Sequence, residues 1–135
     1  MSTSKKLDQL IQRMEHYLEC WKEFNHYVGL ARSKQFGQED EDQFLEIKSL
    51  LTQELEMIYA SLEGAGMPAR EEVHALVGAA PSVRSMSELS EAALKSLEGQ
   101  WHRLFISWES LLGQLKAKQK EESSQARWSL FGGKK

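Results

Sequence analysis

Apolar residues recur at helical spacing along the first part of the chain. The intervals between the repeating positions alternate between four and three residues, and a period of about 3.5 residues keeps such positions on one face of an α-helix. The stripe consists of Leu7, Ile11, Met14, Leu18, Trp21, Asn25 and Val28, widened by Leu10, Tyr17 and Phe24. Ser4 is a suitable N-cap residue and Gly37 a suitable stop. The pattern predicts a long first helix over residues 5–32 with one broad buried face.

A second long helix and a short third helix follow by the same criterion. The acidic run over residues 38–42 suits the positive end of a helix dipole, and Asp40 with Gln43 resembles a capping box. The apolar positions of the second helix are Phe44, Ile47, Leu51, Leu55, Ile58 and Leu62. Glycines at positions 64 and 66 end it, and Pro68 suits the first turn of a short helix whose apolar face is Val73, Leu76 and Val77.

The last helix is predicted to be long. Ser85 and Glu88 have capping-box spacing, and the stripe that follows is Ala93, Leu97, Trp101, Leu104, Trp108, Leu111 and Leu115. Gly99 and Gly113 fall on the opposite face. The apolar period ends at Leu115, so residues 116–126 are expected to form exposed helix that fades into a tail.

No segment alternates between apolar and polar residues for more than a few positions, so no sheet is expected. Short connections between long helices favour antiparallel neighbours. The sequence therefore predicts an all-α antiparallel helical bundle of three long helices plus one short helix in residues 1–120. A basic, aromatic-containing C-terminal tail follows in residues 121–135.

Composition limits the possible classes of function. A single cysteine fits a reducing compartment, and no run of 18 apolar residues or signal-peptide pattern occurs, so we expect a cytoplasmic protein. The net charge is −3, but it is uneven. From Lys116 onward six basic residues stand against Glu121 and Glu122, a charge of +4, which leaves −7 on residues 1–115. An acidic body argues against a nucleic-acid partner.

The strongest candidate for chemistry is a repeated Glu-x-x-His motif, formed by Glu23 with His26 and by Glu71 with His74. Di-iron bundles use two such motifs whose side chains project into the core. Here the stripe places Glu23 and His26 on the outer face of the first helix, and His74 lies on a helix too short to be a full member of a bundle. A ferritin-like metal-binding or redox bundle is therefore the alternative, and a protein without metal or cofactor is preferred.

Other catalytic patterns are weaker still. His102 with Glu98, and His16 with Cys20, have the i, i+4 spacing of neighbours on a helix, but a cysteine nucleophile requires a thiolate in a cleft. The sequence contains no phosphate-binding loop and no HExxH, CxxC or G-x-S-x-G motif. We therefore expect a protein that is not an enzyme.

The C-terminal tail is the part of the sequence that gives the clearest indication of a function. Trp128, Leu130 and Phe131 lie beyond the last apolar stripe, and basic residues flank them at Arg127, Lys134 and Lys135. Three hypotheses remain open for this segment: it folds back on its own bundle, it docks into a groove of a protein partner, or it contacts an anionic membrane surface. Docking is preferred, which predicts an adaptor-like scaffolding protein. Self-association is also expected if part of an apolar stripe stays uncovered.

Overall fold

The structure, a computed structural model, describes residues 5–62 and 67–131, with side chains through Ser124. Five helices follow one another along the chain: α1 (Lys5–Ser33), α2 (Gln38–Leu62), α3 (Arg70–Gly78), α4 (Val83–Ser87) and α5 (Glu91–Phe131). The described ranges contain no strand. The predicted all-α antiparallel bundle is therefore confirmed, with three long helices and a second short helix that the sequence pattern missed.

Helix α1 is the centre of the bundle and packs against α2, α4 and α5. Polar contacts near both ends define how α5 runs beside it: Arg32 is paired with Glu91 at 2.6 Å, and Gln119 donates to Asp8 at 2.8 Å. The end of α1 thus lies beside the start of α5, and its start beside a late part of α5. The two helices are antiparallel.

Helix α2 packs on another side of α1, also antiparallel to it. The Tyr27 hydroxyl donates to Gln43 at 2.7 Å near the connection, and Arg13 contacts Glu54 at 2.9 Å further along. Helix α3 touches both α2 and α5, while α4 packs on α1 and α2. Helix α3 therefore lies between α2 and α5, whereas α4 lies mainly against α1.

The predicted apolar stripes form the core. Every stripe position of α1 is buried except Asn25, which is half-buried, and in α5 only Ala93 and Trp101 are half-buried. Aromatic rings occupy the centre, where Tyr17 meets Trp108 edge-on with ring centroids 5.2 Å apart. The prediction and the structure agree because the buried face of a long helix requires apolar residues at a regular helical spacing in the sequence.

The start of the last helix differs from the prediction. Ser85 and Ser87 belong to α4 rather than to a cap of α5. Ser82 caps α4 by accepting the Ser85 N–H at 2.9 Å, and Ser90 caps α5 by accepting the Ala93 N–H at 3.1 Å. Two helices therefore begin within nine residues, each capped by a serine, where the sequence pattern predicted the start of one helix. The predicted capping box at Ser85 and Glu88 is wrong.

The second capping box was also misassigned. The Asp40 carboxylate accepts the N–H of Gly37, the residue that precedes α2, at 2.8 Å. Asp40 therefore acts from the third position of the helix rather than as the cap itself. Gln43 instead accepts the Tyr27 hydroxyl. The acidic first turn still suits the helix dipole, as expected.

Helix α1 ends at an unusual position. Lys34 has a φ of 59°, in the left-handed region that commonly terminates helices and usually selects glycine. Its ammonium group donates to the Ser87 carbonyl oxygen. The contact ties the end of α1 to the last residue of α4.

Candidate functional site: the C-terminal part of α5

Helix α5 extends past the beginning of α1. Among the described side chains, its last polar contacts with α1 are the ion pair of Lys116 with Glu15 at 3.0 Å and the hydrogen bond of Gln119 to Asp8. Continuing that antiparallel register places Lys5, where α1 begins, opposite about position 122. Residues 123–131 add about 13 Å of helix beyond that point.

The helical backbone of α5 includes most of the predicted docking segment. Arg127, Trp128, Leu130 and Phe131 all lie within α5, whereas Lys134 and Lys135 lie outside the described residues. The helix therefore does not end between residues 116 and 126, as the loss of the apolar stripe suggested. The division of the chain at residue 120 stays a prediction, and α5 crosses that boundary without a break.

Helical phase relates this segment to the core. Leu115 is the last buried stripe residue. At about 100° per residue, position 128 lies about 140° and position 131 about 160° around the helix from it. Position 130 lies only about 60° away. Positions 128 and 131 thus share the side of α5 that points away from the core stripe, while position 130 continues the stripe side.

The charge of α5 changes along the same stretch. Lys118 and Lys120 are exposed, Glu121 is exposed and Glu122 is half-buried. No ion pair among the described residues involves Lys118 or Lys120. Their charges are thus available to an anionic group.

The two Glu-x-x-His motifs are not brought together. Glu23 and His26 are exposed on α1, and Glu71 and His74 are exposed on α3. Within the part of the chain that the structure describes, no group of three or more His, Cys, Asp or Glu side chains is placed to hold a metal ion. The predicted place of Glu23 and His26 on the outer face of α1 is confirmed.

The remaining titratable candidates are scattered in the same way. His16 and His102 are exposed, while Cys20 is buried. Burial raises the pKa of the Cys20 thiol, and the nearby carboxylates of Glu23 and Glu54 raise it further. Both effects favour the protonated thiol, whereas a cysteine nucleophile requires an environment that favours the thiolate.

The structure also contains a cleft that the sequence pattern did not predict. It has a volume of about 580 Å³ and lies where the start of α1, the end of α2 and the later part of α5 meet. Its basic lining residues are Lys6, Arg13 and Lys118. A weak signal exists in the sequence, because Lys6 and Arg13 are seven residues apart and lie two turns apart on one helix. Only the adjacency of three helices reveals that Lys118 joins them.

The fold defines the chain as an all-α helical bundle. None of its described helices contains a stretch long and apolar enough to cross a membrane. Comparison with protein-family models, with curated proteins and with solved structures gives no match to this chain.

Proposed function

We propose that this chain is a non-enzymatic, adaptor-like helical-bundle protein whose C-terminal WSLF segment docks into a groove of a protein partner. One observation carries the proposal: α5 continues as a helix to Phe131, past the start of the helix against which it packs. An extended helix end of this kind presents a surface to other molecules without disturbing the bundle.

The helical phase favours docking through Trp128 and Phe131. Positions one turn apart on the same helix side are the usual anchors when a helix binds in a groove, and aromatic residues supply large contact areas at interfaces. Arg127 and the lysines at 134 and 135 suit a groove whose rim carries acidic residues. The proposed partner surface is thus apolar at its centre and acidic at its edge.

Two alternatives for this segment have less support. A tail that folds back on its own bundle requires a turn, but the backbone runs on as helix through residue 131. A membrane surface remains the second alternative, since basic and aromatic residues also suit anionic headgroups. Three apolar anchors give weak membrane binding, so a protein groove is preferred.

Metal binding and self-association are the remaining alternatives. The Glu-x-x-His segments are exposed and apart, so they offer little support for a ferritin-like site. Self-association has a modest basis in two half-exposed apolar side chains, Met57 on α2 and Ile106 on α5. Self-association would accompany docking, whereas a metal-binding bundle is an alternative to it.

Affinity capture tests the docking proposal. Full-length protein is compared with the Trp128→Ala/Phe131→Ala double variant, and with Leu45→Ala/Leu89→Ala as a matched control, because Leu45 and Leu89 are exposed apolar residues elsewhere on the bundle. Quantitative mass spectrometry should identify a protein retained by the wild type and by the control but lost with the tail variant. A second measurement with the purified partner gives its affinity for a peptide of residues 121–135.

Vesicle sedimentation separates the membrane alternative. If anionic vesicles retain the protein through Trp128 and Phe131 while no protein partner depends on them, the docking proposal is wrong. Equal capture by wild type and tail variant would also overturn it. Circular dichroism checks that all variants keep the same helicity.

A further inference from the structure

The cleft between the start of α1, the end of α2 and the later part of α5 offers a binding site distinct from the C-terminal segment. Its walls come from three helices, and its apolar lining residues are Leu7, Leu10, Ala60, Leu62 and Leu115. Lys6, Arg13 and Lys118 supply positive charge, and Gln9 and Ser61 are the neutral polar residues. The volume of about 580 Å³ lies within the range of about 300 to 1,000 Å³ typical of small-molecule sites.

The cleft exists because the filling between α2 and α5 is incomplete. Helix α3 is the short helix that contacts both α2 and α5, and it has only nine residues. Toward the start of α1, the gap is bordered by the last turn of α2, at Ala60–Leu62, and by Leu115 and Lys118 of α5. The hollow is thus a consequence of the bundle's architecture.

Charge is the most selective property of the cleft. No carboxylate is among its described lining residues. Arg13 is already paired with Glu54 at 2.9 Å, but no ion pair among the described residues involves Lys6 or Lys118. Both ammonium groups therefore attract an anion at little cost of breaking existing contacts.

The apolar residues restrict the class of anion further. Leu7, Leu10 and Leu115 line the cleft and are mostly buried, and the methylene stems of lysine side chains also cover apolar surface. A ligand with one anionic group and an attached hydrocarbon segment would match both parts. We infer that the cleft binds an anionic amphiphile, with its carboxylate or phosphate held by Lys6 and Lys118 and its chain against the leucines.

This inference is independent of the proposed docking function, because the described lining residues that carry it, Lys6, Lys118 and the leucines, lie outside the C-terminal segment. Isothermal titration calorimetry on the full chain tests it, with dodecanoate below its micellar concentration as the probe. Dodecyltrimethylammonium has the same chain with the opposite charge, and inorganic phosphate has the charge without the chain. Dodecanoate should bind, more weakly at high salt, and the two comparison probes should bind at least about tenfold more weakly.

Variants locate the binding. Lys6→Gln/Lys118→Gln should weaken dodecanoate binding by about tenfold or more, because both cations are removed. Lys5→Gln/Lys120→Gln is the matched control: it makes the same charge change on the same helices at residues outside the cleft. Ala60→Trp, at an exposed lining position, should also weaken binding by filling the space without changing the charge.

Vesicles of phosphatidylglycerol distinguish the source of the amphiphile. Dodecanoate binding that depends on Lys6 and Lys118 indicates a free ligand. If vesicle binding depends on Lys6 and Lys118 and dodecanoate does not bind, the ligand is a lipid headgroup. The inference is overturned if neither probe binds, or if the cleft and control variants behave alike. It is also overturned if vesicle binding depends on Trp128 and Phe131 instead, or if inorganic phosphate binds as well as dodecanoate.

Discussion

The indole N–H of Trp101 donates a hydrogen bond of 2.8 Å to the main-chain carbonyl oxygen of Trp21. The bond joins the first third of α5 to the middle of α1. The two helices also share apolar contacts and the polar contacts near their ends. The Trp101 ring also stacks on Phe105, with centroids 4.8 Å apart and planes 10° from parallel. Trp101 therefore fixes the axial position of α5 along α1 by a directional contact.

Replacing Trp101 by Phe should lower the free energy of unfolding by about 0.5 to 1.5 kcal/mol, the usual net value of one hydrogen bond. Phe keeps an aromatic ring for the contact with Phe105, so the change is mainly the loss of the N–H donor. Urea unfolding monitored by circular dichroism measures the difference. A Trp101→Phe variant as stable as the wild type would show that this bond has no net effect.

Two nearby positions on α5 provide a sharp test of the core. Leu104 is 4% exposed and Ile106 is 48% exposed. Leu104→Asp should destabilise the bundle by more than about 4 kcal/mol, because it buries an unpaired charge, and Trp108→Asp should do the same. Ile106→Asp, the matched control, should change stability by less than about 1 kcal/mol. Thermal unfolding separates the outcomes, and a stable Leu104→Asp variant would contradict the assignment of the core face.

How far the sequence predicts this fold depends on periodicity. The core faces of α1, α2 and α5 were predictable because each long helix repeats its apolar positions over many turns. The position of α4 was not predictable, since five residues are too few for a period and its serine cap lies only eight positions before that of α5. The end of α5 was missed for another reason. Residues 116–126 are rich in Lys, Ala, Gln and Glu, which sustain a helix by intrinsic propensity after the apolar stripe has ended.

The two candidate sites also differ in how far the sequence alone predicts them. The C-terminal segment was visible in the sequence because apolar and basic residues are contiguous there. The cleft was not visible, because Lys6 and Lys118 are far apart in the chain and meet only through the antiparallel packing of α1 and α5. A site assembled across helices requires knowledge of which helices are neighbours, and residue spacing does not contain it.

The reactivity of Cys20 should report on the integrity of the core. Its side chain is 5% exposed, and burial raises the pKa of its thiol, so both access and thiolate formation are restricted. Dithionitrobenzoate should react at least about 100-fold more slowly with native protein than with protein unfolded in guanidinium chloride. Absorbance stopped-flow measures both rates, with Cys20→Ala as the blank. Similar rates in the two states would mean that α1 opens readily at this position.

Alkaline pH should destabilise the bundle. Burial raises the pKa of the Tyr17 phenol above its ordinary value of 10.0, and its hydroxyl donates to the Leu51 carbonyl oxygen at 2.8 Å. The unfolded chain therefore loses this proton at a lower pH than the folded protein does. The contribution of Tyr17 to stability is complete below about pH 10 and falls as the pH rises further, by up to about 1.4 kcal/mol per pH unit.

Urea unfolding at about pH 8 and about pH 11 tests this dependence. Tyr17→Phe should start about 1 kcal/mol less stable at the lower pH, because the hydrogen bond is lost, and should then lose less stability on the way to the higher pH. Burial also raises the pKa of Tyr27 and Tyr59, so part of the slope should persist in the variant. Identical slopes for the two proteins would show that Tyr17 ionises as easily in the fold as in the unfolded chain.

Truncation should show where the bundle ends energetically. Removing residues 123–135 leaves the contacts of Lys116 with Glu15 and of Gln119 with Asp8, so we expect a melting temperature within about 2 °C of the full chain. Removing residues 116–135 deletes both contacts and the last turns that cover the start of α1, and it should lower the melting temperature by several degrees more. Differential scanning calorimetry compares the two. If the shorter deletion alone causes the large fall, residues 123–135 stabilise the bundle directly, and the extension is a structural element of the core rather than a surface for a partner.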